Sequence, residues 1–223
     1  MKTLSLFLSL LLISPALLSQ TTVSGVIDSN TTWTAANSPY IIEANVLIPD
    51  EVTLTIEPGV TVKFKSDNYL KIEGFLIAIG NESDKIVFTS NETNPSRGDW
   101  DKIWLSGTTT NFDENDNYVS GTKIEYCVIS YANEGLRVDE SSLYLLNSDF
   151  VQNNIGINFK KIDNSIIEKN IFENNGSGTS TSAGTENNGT GNFVYTKILE
   201  NVFQNNDGDG FTFGGHRNNA NNN

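Results

Sequence analysis

Asn205, Asp207 and Asp209 carry oxygen ligands at alternate positions and are followed by Gly210. Alternating oxygens with a glycine at the turn are the way a calcium loop begins. The glutamate that would complete such a loop at its twelfth position is absent, and His216 stands there. The stretch is therefore a partial calcium ligand set, and its competing reading is a plain turn. A second acidic loop, residues 111–121, gathers Asp113, Glu114 and Asp116, which can hold calcium or stand solvated. His216 and Cys127 are the sole residues of their types and lie far apart, so a Cys–His nucleophilic pair is not expected. Structural zinc is excluded by ligand count. No phosphate-cradling glycine loop or dinucleotide fingerprint is present. A lone cysteine also forbids an internal disulfide, and its apolar setting predicts a buried, inert thiol. Among the three arginines, Arg137 alternates with Leu136 and Val138, which points it outward from a strand.

The whole chain is acidic, with 27 Asp and Glu against 14 Lys and Arg, for a net charge of −13. That balance argues against nucleic-acid phosphates as a partner. It suits solubility, divalent cations or a saline setting equally. Residues 1–19 have the build of a signal peptide: Lys2, an apolar run from Leu4 to Ile13, then Pro15 and Ser19. No later segment approaches a membrane span. The expectation is a secreted or cell-surface protein with one substantial domain.

Those residues need elements to hold them, and the sequence offers short strands instead of helices. Runs at 52–56, 60–64, 69–74, 75–80, 85–90, 101–107 and 123–130 mostly alternate apolar with polar or small residues. The second half then repeats. Ile129, Phe150, Phe172 and Phe203 open equivalent units, each followed by a turn and, in the last three, by an Asn-Asn pair. The spacing is 21 or 22 residues, stretched once by the polar insert 176–192. One coil of a parallel solenoid needs about that length, each strand resting on the next at about 4.8 Å. Asparagine suits the corners because it tolerates left-handed backbone and can stack its amides into a ladder. In this alignment Asn205, Asn206 and Gly208 fall where Asn153, Asn154 and Gly156 fall, and Asp209–Gly210 is a two-residue extension. Trp104 lies in the alternation of its strand and is expected inside. Trp100, at a loop–strand junction, is the expected exposed aromatic.

The runs "VTLTIEPGVTVKF", "YLKIEGFLIAIGNESDKIVFTS" and "GDWDKIWLSG" resemble the N-terminal coils of secreted right-handed parallel β-helix proteins of the pectin-lyase-like superfamily. Lys102 departs from the glycine usual in the third segment. The resemblance implies an all-β, right-handed parallel β-helix of about seven coils. Residues 20–50 would form the N-terminal cap and first coil, 51–215 the repeats and 216–223 a polar tail, with no C-terminal cap readable. It also brings polysaccharide lyases into view. Those need a basic group for proton abstraction and calcium or another positive group to neutralise the uronate, which makes Arg137 the speculative base. The segment "NDGDGFTFGG" is similar to the catalytic-lysine segment of calcium-dependent pectate lyases, but Thr212 occupies the lysine position. The reading is thus a non-catalytic exported β-helix module that contacts glycans or mediates adhesion. The alternative is a calcium-dependent lyase acting on acidic polysaccharide.

Overall fold

The computed structural model describes residues 20–160, 162–181, 193–194 and 196–212. The leader-like stretch 1–19, most of the polar insert, and the tail with His216 and Arg217 lie outside the described residues. The chain winds through three faces. Face A is a seven-stranded parallel sheet of Thr31–Trp33, Thr53–Ile56, Phe75–Ile79, Lys123–Glu125, Tyr144–Leu146, Ile166–Glu168 and Lys197–Leu199. Face B runs through Thr61–Phe64, Ile86–Ser90, Cys127–Ser130, Asp149–Val151, Ile171–Glu173 and Val202–Gln204. Face C runs through Leu70–Ile72, Trp100–Ser106, Ala132–Asp139, Ile155–Phe159 and Ser177–Thr181. Faces B and C form one sheet because the long strand Tyr40–Ile48 feeds both: residues 40–42 pair with Thr61–Phe64, residues 46–48 with Leu70–Ile72. Each circuit visits A, B and C in turn, so the seven strands of face A count seven coils of a parallel β-helix. Thr21–Val26 pairs along Tyr40–Ile48 and covers its edge on both faces.

Alternation explains the core. Leu54 and Ile56, Val62 and Phe64, and Leu70 and Ile72 all turn inward and are fully buried or nearly so. An inward Leu or Ile contributes about 1.5–3 kcal/mol by leaving water. In the later coils the expected ladder is realised in register: Ile129 opposite Phe150, Phe150 opposite Phe172, Phe172 opposite Phe203. The phenyl rings stack at centroid distances of 4.9 Å and 4.7 Å, an offset contact that adds about 0.5–1.5 kcal/mol beyond area burial.

The corners of these coils divide their work between two consecutive residues. Gln152, Asn174 and Asn205 take positive φ, between 54° and 57°. The next residue aims its amide into the stack. Asn175 accepts from the Asn153 backbone N–H at 2.9 Å, and Asn206 accepts from the Asn175 backbone N–H at 2.9 Å. Their side-chain nitrogens donate to the carbonyls of Phe150 and Phe172. The corner between faces A and B does the same with Ser148, Asn170 and Asn201.

This register corrects the sequence alignment by one position, because Asn206, not Asn205, continues Asn153. The glycine of the motif shifts too. A methyl on Gly135 would meet the carbonyl of Gly156 at 2.7 Å, one on Gly156 that of Gly178 at 2.4 Å, and one on Gly178 that of Gly210 at 2.2 Å. Gly210, not Gly208, is therefore the stack glycine. Asn175 reaches Gly178 in three steps and Asn206 reaches Gly210 in four, so the extension is one residue long.

Candidate functional site

Face C carries a cluster of polar and aromatic side chains. Register places Lys71 opposite Trp104, Trp104 opposite Arg137, Arg137 opposite Asn158, and Asn158 opposite Ser180. Lys71, Trp104 and Arg137 alternate with the buried Ile103, Leu105, Leu136 and Val138 and point outward, while Asn158 at the far end of the row is covered. The Lys71 ammonium sits 4.5 Å from the Trp104 ring centroid and the Arg137 guanidinium 5.4 Å from it, with Tyr69 meeting the ring edge-on at 6.2 Å. Cations beside an indole are held by its quadrupole.

Trp104 and Trp100 thus exchange the roles expected for them. Trp100 is fully buried, stacked on Phe64 at 4.0 Å, and donates its Nε1–H to the Ser130 carbonyl. The cause is an irregular strand: Trp100 and Ile103 both face inward, with two residues between them. The neighbouring strand compensates between Glu134 and Leu136. Strict alternation fails there, and everything after the irregularity changes face. Trp33 is core as well, stacked on Tyr40 at 4.8 Å.

The bulge also seats Glu134, which alternation alone gives no reason to single out. It is 8% exposed and accepts from the Asn158 side-chain amide at 2.7 Å. Lys102 lies 3.5 Å from its carboxylate and 3.1 Å from that of Asp101. Arg137 approaches Glu134 at 3.9 Å and Asp139 at 3.5 Å. The guanidinium is engaged with two carboxylates and an indole, whereas a lyase base must present a free lone pair to its substrate. This setting suits Arg137 to binding and orienting. Trp104 Nε1, Arg137 Nε and Glu134 Oε2 are covered and have no hydrogen-bond partner. The 21-residue spacing that aligned Ile129 with Phe150 would have aligned Arg137 with Asn158. The partners Lys71 and Trp104 stand 33 residues apart, outside that period, and were not legible.

Where face C turns toward face A, a cavity of about 410 Å³ opens among Thr108, Thr110, Ser141, Ser142 and Asn164, with Glu140 and Asp163 at its wall. Thr108 and Thr110 are themselves buried.

The three calcium candidates each find a different partner. Asn205 donates to Glu173 at 3.3 Å, Asp207 is ion-paired with Arg97, and Asp209 accepts from the Thr212 hydroxyl at 3.3 Å. Arg97 comes from the loop between Ile86–Ser90 of face B and Trp100–Ser106 of face C and also donates to the Asn174 carbonyl. Among the described residues no three His, Cys, Asp or Glu side chains form a group able to hold a metal ion.

The acidic loop 111–121 is an antiparallel hairpin of Thr110–Phe112 and Tyr118–Gly121. Asp113 accepts from the backbone N–H groups of Asn115 and Asn117 and from the Asn117 amide, which hold its carboxyl below the usual range, the Asn117 side chain foremost. Asp116 is ion-paired with Lys197. Phe112 and Tyr118 lie against Tyr144, so the hairpin folds over face A. Cys127 is fully buried, and burial pushes its thiol well above the ordinary cysteine value, as an inert packing residue requires.

These ladders define the class of the molecule as a parallel β-helix. Residues 25–131 match the family model described as a pectate-lyase-like beta helix domain, and that stretch of the chain carries this domain. The same coils continue without a break to face B of the seventh coil. A curated relative, Protein bark beetle of Drosophila melanogaster, is 40% identical over 55 residues. That match covers 25% of this chain and 2% of the fly protein. No solved structure matches significantly. No helix among the described residues is long and apolar enough to cross a membrane.

Proposed function

We propose that this chain is a non-catalytic β-helix module of an exported or cell-surface protein, and that it contacts glycans along face C. Export rests on the leader-like residues 1–19. The glycan contact rests on one observation: an outward-pointing row in which an ammonium, an indole, a guanidinium and a largely covered amide follow one another at strand spacing. Aromatic bodies with polar rims suit sugar rings, which offer C–H faces and hydroxyl edges. The pectate-lyase-like family supports a relation to polysaccharide. The calcium-dependent lyase reading keeps only the fold in its favour, and fold alone does not carry an activity.

The test is affinity electrophoresis and calorimetry of the full chain against a polysaccharide panel, run beside an ultraviolet assay for unsaturated lyase products. Saturable binding without product, weakened about 10-fold or more by Trp104→Ala, is the expected result. Product formation that disappears in Arg137→Ala would establish the lyase instead.

A further inference from the structure

The hydrogen-bond inventory of face C reaches further than its shape and names the chemical class of the ligand. Among the described residues Trp104 Nε1–H and Arg137 Nε–H are donors without acceptors, and Glu134 Oε2 accepts no hydrogen bond, with only the longer ion-pair contacts of Lys102 at 3.5 Å and Arg137 at 3.9 Å beside it. The three belong to one contact group: the Arg137 guanidinium lies against the Trp104 ring and 3.9 Å from the Glu134 carboxylate. Polar groups covered in this way are costly while unsatisfied. One hydroxyl has the bonding capacity to match the set, since it accepts two hydrogen bonds and donates one. A carboxylate does not, because it brings no proton for Glu134 and places a second negative charge beside it.

The surrounding charge points the same way. Lys71, Lys102 and Arg137 are each already paired, with Glu73, Asp101, Glu134 and Asp139 between them. Four carboxylates against three cations leave no positive excess for an anionic chain, and the protein carries −13 overall. The adjoining cavity repeats the pattern, lined by hydroxyls and the amides of Asn111 and Asn164 with the carboxylates of Glu140 and Asp163, and by no basic side chain among the described residues.

We infer that face C and the cavity beside it take an uncharged, polyhydroxylated glycan, with one sugar hydroxyl bridging Trp104, Arg137 and Glu134. This rests on the glycan-contacting reading and narrows it against acidic polysaccharides. On binding, side-chain adjustment at this partly exposed row opens the three atoms to the hydroxyl.

The experiment compares the full chain on laminarin and glucomannan, which are neutral, with polygalacturonate and alginate, which are acidic, at low and high salt and with or without calcium. Binding to a neutral chain, insensitive to salt and calcium, is expected. Trp104→Phe keeps an aromatic ring beside the cations but removes the Nε1 donor, and should weaken that binding about 3- to 10-fold. Unchanged affinity in Trp104→Phe would overturn the bridging hydroxyl. Acidic chains binding as tightly as neutral ones, or alone, would overturn the ligand class and leave glycan contact standing. Binding of neither class sinks both readings.

Discussion

The early and late coils reach the same cross-section by different corner chemistry. Between the first and second coils Asn30 Oδ1 accepts from Thr53 N–H at 2.8 Å and Asn45 Oδ1 from Tyr69 N–H at 3.2 Å, both at the exposed surface. Each is a single cap, and neighbouring turns there close with backbone hydrogen bonds, such as Val52 N–H to the Pro49 carbonyl. In the late coils Asn153 and Asn175 are fully buried, and with the partly buried Asn206 they form one run of amides with a phenylalanine ladder inside it. Loops of varied length serve the first arrangement. Buried ladders demand a fixed repeat, because a one-residue slip would withdraw the amide from the backbone groups above and below. That is why the period is regular only where asparagines recur.

The contrast predicts a graded set of stability losses, measured by chemical denaturation. Phe172→Ala removes the middle ring of the ladder and should cost about 3–5 kcal/mol. Asn175→Ala leaves the Asn153 N–H and the Phe150 carbonyl unsatisfied in the interior, at about 1–3 kcal/mol for each group. Asn30→Ala, the early-coil counterpart, loses an exposed cap and should cost about 0.5–1 kcal/mol. Equal losses for Asn175→Ala and Asn30→Ala would break the comparison. Gly156→Ala sharpens it: the added methyl presses on the Gly178 carbonyl and the Phe172 ring, and a loss of about 1–3 kcal/mol is expected from such overpacking. The full burial of Asn175 also bars glycan attachment at its Asn-Gly-Ser sequon in the folded protein.

The smallest effect belongs to the hairpin over face A. The Asp113 carboxyl is held below its ordinary value in the folded state by Asn117 and the turn N–H groups. Its contribution is therefore present above the ordinary aspartate value, about 3.9, and is lost as pH falls through the lower folded value. Amide exchange at Asn115 and Asn117 should accelerate in that acid window while the coil amides stay protected. In Asp113→Asn the acceleration should already be present at neutral pH.

Much of the fold was legible in the residues. Alternation located the strands, and recurrence paired Ile129, Phe150, Phe172 and Phe203 in their true register. The asparagine alignment missed by one position because "NN" contains two different jobs, a left-handed corner and a ladder rung, that identical letters do not distinguish. Less of the candidate site was legible. Arg137 was placed outward correctly, but Glu134 needs a bulge to reach it, and Lys71 and Trp104 meet across unequal loops.

What the sequence determined by itself was the winding: the period, the inward ladder and the Asn-rich corners follow from patterns that repeat along the chain. Which tryptophan is core and which is surface was decided only in the tertiary structure, where two residues between Trp100 and Ile103 reverse the parity that a strand otherwise keeps. The partner of Asp207 was decided there as well. Arg97 lies 110 residues away, and a solenoid brings such residues together by stacking coils, a distance along the axis that no local pattern records.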